Sequence, residues 1–162
     1  VAEVFVSIGS NIDRERNVAR GIELLRARYG ELRLSPVYET RAVGFDGENF
    51  YNLVAAFTTD APVEVINDEL HRIEDACGRD RSGPRFASRT LDIDLLLYDN
   101  EVRETGSMTL PRREITEQAF VLKPLADIAG ERRHPVLGRT YNELWQAFDH
   151  NESDLHQVPF PF

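Results

Sequence analysis

Arg89-Thr90-Leu91-Asp92-Ile93-Asp94-Leu95-Leu96-Leu97-Tyr98 sets two carboxylates two residues apart and then runs into apolar side chains. Successive residues of a strand point to opposite faces, so this spacing puts Asp92 and Asp94 on one face and Leu91, Ile93 and Leu95 on the other. Two acids on one face of a well-anchored strand suit a metal site. A half-buried strand with two solvated aspartates fits the same residues, and the neighbouring segments have to decide.

Just upstream, Gly78 to Ser88 reads as a loop, with Gly83 and Pro84, and Arg79, Arg81, Arg85 and Arg89 cluster before the two acids. Lys123 is the only lysine, so the basic residues are nearly all arginine, whose planar fork matches phosphate oxygens. A net charge of −9 disfavours a general nucleic-acid binder. A local cationic patch on an acidic chain suits a small polyanion instead. Magnesium prefers oxygen ligands and is usually held by one or two carboxylates plus substrate phosphates, so an aspartate pair beside arginines is a coherent phosphate site.

Further upstream, Pro62 opens a helix whose buried face is Val63, Ile66, Leu70 and Ile73, ending near Ala76. Phe50 to Thr59 has strand composition. Arg41 to Asn49 has no period and is a long loop. Leu32 to Tyr38 reads as one strand, Asn17 to Tyr29 as a helix, and Ala2 to Ile8 as a strand that Gly9-Ser10-Asn11 breaks. Downstream, Asp99-Asn100 turns the chain into a short segment around Val102. A helical stretch then starts near Glu117, bends at Lys123-Pro124 and continues to Ala129, and Tyr141 to Phe148 forms a last short helix. Neither G-x-x-x-x-G-K-S/T nor G-x-G-x-x-G occurs. The expected architecture is an α+β domain with a mixed or antiparallel sheet and helices packed on it.

At 162 residues, with 41% hydrophobic and 29% charged residues, the chain has the size and composition of one globular domain. We expect that domain over residues 1–150 and a loosely attached tail over 151–162. No apolar run has the length of a membrane span and the first residues lack a signal-peptide pattern, so a cytoplasmic protein is expected. Cys77, the single cysteine, reads as structural.

Arg85-Phe86-Ala87-Ser88-Arg89-Thr90-Leu91-Asp92-Ile93-Asp94-Leu95-Leu96, with Ser7-Ile8-Gly9-Ser10-Asn11 and Phe50-Tyr51-Asn52, resembles the 6-hydroxymethyl-7,8-dihydropterin pyrophosphokinase family. The similarity runs from about Val4 to Ile128 with the segments in the family's order. It implies a ferredoxin-like α+β fold in three α/β/α layers with a mostly antiparallel sheet, large mobile loops and two magnesium ions. It also implies transfer of pyrophosphate from ATP to the pterin in folate biosynthesis. By position, Asp92 and Asp94 match the metal aspartates, and Arg79 and Arg89 match arginines that contact ATP phosphates and assist transfer. Arg81 matches a loop arginine, Glu74 an acid near the site, and Thr109 a residue near the nucleoside. Phe50 and Phe120 match two rings that sandwich the pterin, Asn52 a pterin-recognising amide, and Thr40 and Val43 loop residues lining its pocket. The implied partners are small-molecule substrates, with no nucleic acid or membrane, and the implied state is a monomer.

The chain departs from the family after Leu110-Pro111. Arg112-Arg113 stand where most members carry a histidine and another ATP-contacting residue, so both are candidate ATP ligands here. Gln118 replaces an arginine, Phe86 a tryptophan, and Ala87-Ser88 a Gly-Pro. Arginine binds phosphate but does not titrate near neutral pH as histidine does. These departures leave two alternatives open: a divergent paralogue that binds a pterin or related heterocycle with weak or no transfer, and a non-enzymatic pterin- or partner-binding module.

Overall fold

The computed structural model describes residues 1–41, 48–78, 90–106, 108–149 and 155–160. The chain runs β1 (Ala2–Ser10), α1 (Arg14–Tyr29), β2 (Arg33–Leu34), β3 (Val37–Thr40), β4 (Phe50–Thr59), α2 (Val63–Ala76) and β5 (Asp92–Tyr98). It continues through β6 (Arg103–Thr105), β7 (Met108–Leu110), α3 (Glu114–Glu117), α4 (Ala119–Ala129), α5 (Tyr141–Ala147) and β8 (His156–Val158). The main sheet has the order β5-β1-β4-β3-β8, with β2 also on β4, and β6 and β7 form a separate hairpin. Every pairing among the described residues is antiparallel. The unit β1-α1-β3-β4-α2-β5 is a β-α-β-β-α-β arrangement whose first strand lies between its last and its third, the ferredoxin-like topology the resemblance implies.

Two hydrophobic cores flank the sheet. One joins Val4, Val6, Ile8, Leu53, Ala55, Ile93 and Leu95 to Val18, Ile22 and Leu25 of α1 and Ile66, Leu70 and Ile73 of α2. The other joins Phe5, Val54, Ala56, Leu96 and Leu97 to Ile115, Val121, Leu122, Leu125 and Tyr141 of the later helices. The central strands are buried on both faces, which is why β1 and β4 read as near-continuous apolar runs. Leu91 is fully buried, and a methyl added to Gly21 of α1 would lie 2.8 Å from its Cδ2. A glycine on the helix therefore makes room for the residue that leads into β5.

Several expected boundaries move. β1 continues through Gly9 and Ser10, because β4 pairs with it up to Tyr51. The expected strand Leu32 to Tyr38 divides at Ser35-Pro36, where the Ser35 hydroxyl accepts a hydrogen bond from Val54 N and interrupts the ladder. The helical stretch expected from about Glu117 starts at Ala119, because Gln118 has an extended backbone (φ −125, ψ 121) that separates it from the short α3 before it. α4 then runs through Pro124 to Ala129 as one helix, in place of the expected bend, with the proline supplying no N–H toward the Phe120 carbonyl. The described part of the tail is docked, not loose: β8 adds to the edge of β3, and Phe160 meets the Tyr51 ring edge-on at 6.0 Å between centroids. No helix among the described residues is long and apolar enough to cross a membrane.

Candidate active site

Antiparallel partners point to the same face of a sheet, so the register locates the candidate residues without further assumption. Gly9 of β1 is opposite Asn52 on one side and Asp92 on the other. Ser7 is likewise flanked by Val54 and Asp94. Tyr38 is opposite Asn52, and Thr40 is opposite Phe50. Thr40, Phe50, Asn52, Gly9, Asp92 and Asp94 consequently share one face, the one that carries the second core under α4. Leu91, Ile93 and Leu95 point into the opposite core, as the sequence predicts. The alternation stops there, because the register shifts between Phe5 and Val6 and both Leu96 and Leu97 enter the second core.

Asn52 is buried and donates through Nδ2 to Thr40 Oγ1 at 2.8 Å. Its Oδ1 lies over Gly9, where an added Cβ would sit only 2.8 Å away. Gly9→Ala is therefore expected to push the Asn52 amide aside and break its bond to Thr40. The loss of one buried hydrogen bond and its geometry corresponds to roughly a tenfold weaker affinity for whatever Asn52 recognises, read by calorimetry with a pterin. An unchanged pterin affinity would show that the amide's position is irrelevant to binding.

Asp92 and Asp94 are both partly exposed on β5, the edge strand of the sheet. Beneath them Glu74, 2% exposed at the end of α2, accepts from Ile93 N at 2.9 Å, and its other oxygen lies 3.0 Å from His71 Nδ1. The backbone between the two aspartates is thus fixed by a buried carboxylate. Ser10 and Asn11, also buried, brace the chain on either side. Ser10 Oγ donates to Thr90 O at 2.6 Å, and Asn11 Nδ2 donates to Glu48 O at 3.0 Å. Thr90 follows the segment that the sequence reads as the arginine-rich loop, and Glu48 lies near the end of the one it reads as the long loop. Turn composition alone hides this bracing role, which needs the register of β1 to be seen.

Arg112 N donates to Leu96 O, which ties the segment after β7 to the free edge of β5. Its guanidinium donates through Nε to Glu114 Oε2 at 2.5 Å and places Nη2 3.5 Å from Asp94 Oδ1. Arg113 instead reaches Glu104 on the hairpin at 2.7 Å. Thr109, opposite Glu104 on β7, is partly buried beside β5. Phe120, in the first turn of α4, packs partly buried against the second core, and Phe50 is half-buried at the start of β4. Tyr38 fastens α4 to the sheet. Its hydroxyl donates to Asp127, which Lys123 Nζ also approaches at 2.7 Å, and burial first, then the Asp127 carboxylate, hold that hydroxyl's pKa well above the ordinary tyrosine value. Val43, Arg79, Arg81, Arg85 and Arg89 lie outside the described residues.

The donor set at Asp92 and Asp94 is two hard carboxylate oxygen groups on one face, with the Arg112 guanidinium 3.5 Å from Asp94 but no group of three or more ligating side chains among the described residues. That fits an ion completed by water and substrate phosphates and does not fit a closed structural metal cage.

The chain matches the family model described as 7,8-dihydro-6-hydroxymethylpterin-pyrophosphokinase over residues 5–130. It is 36% identical over 152 residues to the 2-amino-4-hydroxy-6-hydroxymethyldihydropteridine pyrophosphokinase of Pseudomonas aeruginosa, covering 91% of this chain and 92% of that one. It is 35% identical over 129 residues to the enzyme of the same name from Bacillus subtilis, covering 76% of each. Against the folic acid synthesis protein fol1 of Pneumocystis carinii, identity is 34% over 155 residues, but the chain spans only 20% of that protein. Among solved structures, the Plasmodium falciparum HPPK-DHPS superposes with a TM-score of 0.70 at 14% identity, over 91% of this chain and 43% of that one, a likeness of fold.

Proposed function

The chain belongs to the 7,8-dihydro-6-hydroxymethylpterin-pyrophosphokinase family, and from that premise we propose that it transfers the β,γ-pyrophosphoryl group of ATP to the hydroxymethyl oxygen of the reduced pterin. The products are AMP and the pterin diphosphate, as folate synthesis requires. One observation carries the assignment of roles: Asn52, Gly9 and Asp92 lie in one row across three adjacent strands, on one face. Two strand spacings, about 10 Å, separate β4 from β5. That span suits a flat heterocycle held at Asn52 with its hydroxymethyl arm directed at phosphates held near Asp92 and Asp94.

In this reading Thr40, Val43 and Asn52 form the pterin pocket, with Phe50 and Phe120 stacking on the ring. Asp92 and Asp94 would hold two magnesium ions, which supply charge stabilisation to the bridging phosphate oxygens. Arg79, Arg81 and Arg89, with Arg112, bind the remaining phosphate charge, and Thr109 borders the nucleoside. Arg113, engaged with Glu104, has the weaker claim to an ATP contact. Glu74 acts through the backbone it holds at Ile93. The family's departures leave the chemistry dependent on arginine in place of a titrating histidine, so the rate should be flat across neutral pH as far as this segment is concerned. We further propose that the protein works as a monomer in the cytoplasm.

The test is direct. Purified protein with magnesium, ATP and 6-hydroxymethyl-7,8-dihydropterin should form AMP in step with pterin diphosphate, and chelation of the metal should stop it. Both ligands bound in calorimetry with no AMP formed would favour a divergent relative that binds without transfer; binding of neither would leave a partner-binding module.

A further inference from the structure

Arg112 sits where a cation of another kind is required by the proposed function, on which this inference rests. Its Nη2 is 3.5 Å from Asp94 Oδ1 while its Nε is engaged by Glu114 Oε2 at 2.5 Å, and its backbone is tied to Leu96 O on β5. All three side chains are partly exposed, at 35% for Arg112, 39% for Asp94 and 37% for Glu114. An exposed ion pair of this kind contributes little to stability and is readily exchanged. A divalent ion arriving at Asp94 meets a guanidinium already in place, and two cations sharing one carboxylate repel.

We propose that Arg112 is a stand-in cation for Asp94 in the metal-free protein, and that Glu114 is the positioning residue that keeps the displaced guanidinium at the rim of the site. Ion binding frees the fork of Arg112 from Asp94. Glu114 retains Nε, so the terminal nitrogens stay available to phosphate oxygens, which a guanidinium binds in bidentate fashion. The same side chain then opposes metal binding before nucleotide arrives and assists nucleotide binding afterwards. An ordered preference follows, with the metal entering together with its phosphates.

The experiment measures Mn2+ alone by electron paramagnetic resonance, with no nucleotide or pterin, and MgATP separately by calorimetry. Arg112→Gln should tighten Mn2+ binding about three- to fivefold, the range expected for removal of a competing exposed ion pair, while weakening MgATP by a similar or larger factor. Glu114→Gln should weaken both, because the guanidinium loses its other carboxylate and settles on Asp94. In the Arg112→Gln background Glu114→Gln should leave Mn2+ binding nearly unchanged, since its effect passes through Arg112; a plain loss of field would persist there. Unchanged or weakened Mn2+ binding by Arg112→Gln, in a protein that binds Mn2+ normally, overturns this inference and leaves the proposed function standing. Wild-type protein that binds neither Mn2+ nor MgATP overturns both.

Discussion

Asp94→Ala is expected to lower AMP formation roughly 10³-fold while leaving the fold intact. The side chain is partly exposed on an edge strand and belongs to neither core, so its removal empties no core position. Thermal denaturation should therefore stay within a few degrees of wild type, the ordinary range for surface substitutions. The chemical cost is large for a different reason. Phosphoryl transfer relies on charge stabilisation and alignment, and an alanine removes one of two carboxylates that can hold an ion against the phosphates. Arg112 would also lose one of its two carboxylate partners and keep only Glu114, so its charge is less compensated beside a site that needs an ordered cation. Asp92→Ala should behave alike, because Asp92 shares the face and faces Gly9 as Asp94 faces Ser7. Steady-state rates with saturating ATP and pterin give the answer; an Asp94→Ala protein that retains about a tenth of the activity or more would remove the metal role from this residue.

How much of this is legible in the sequence depends on whether the cause is local. β4 falls at Phe50–Thr59 and α2 at Val63–Ala76, where aromatic and β-branched composition, Pro62 and a 3.6-residue apolar period all agree. The shared face of Asp92 and Asp94 follows from the two-residue period alone. The bulge that sends both Leu96 and Leu97 into the second core does not, since it arises in the pairing with Phe5 and Val6. β8 has no alternating pattern of its own; His156–Val158 becomes a strand because β3 offers an unpaired edge. The choice between Arg112 and Arg113 also escapes the sequence. Adjacent residues point in different directions, and only the bond from Arg112 N to Leu96 O decides which one turns to Asp94. The roles of Thr40, Asn52 and Phe120 come from the family resemblance, whereas the common location of Thr40 and Asn52 comes from strand register and their mutual hydrogen bond.

Glu74 is the residue whose reading changes most, and its substitution carries the second large expected effect. By the resemblance it matches an acid near the site, at the end of the helix that precedes the arginines. In the folded chain it is buried, and one oxygen accepts the Ile93 N–H on the edge strand β5, whose one neighbour in the main sheet among the described residues is β1. Glu74→Ala leaves that buried amide without its acceptor and opens a void beside the core residue Ile73, a combination that costs about 2–4 kcal/mol. For a domain of this length the melting temperature should fall by roughly 5–12 °C. Activity should fall as well, beyond what the unfolded fraction explains, because the amide lost is the one between Asp92 and Asp94. Glu74→Gln separates the two ways this residue could matter. Its amide oxygen can still accept from Ile93 N, so most of the stability should return and kcat should recover with it. If Glu74 acted chiefly by touching the nucleotide, Glu74→Ala would raise the KM for ATP with the melting temperature unchanged, and Glu74→Gln would restore nothing. Melting curves and a kcat-against-KM comparison on the two variants distinguish a strand anchor beneath the metal carboxylates from a ligand of ATP.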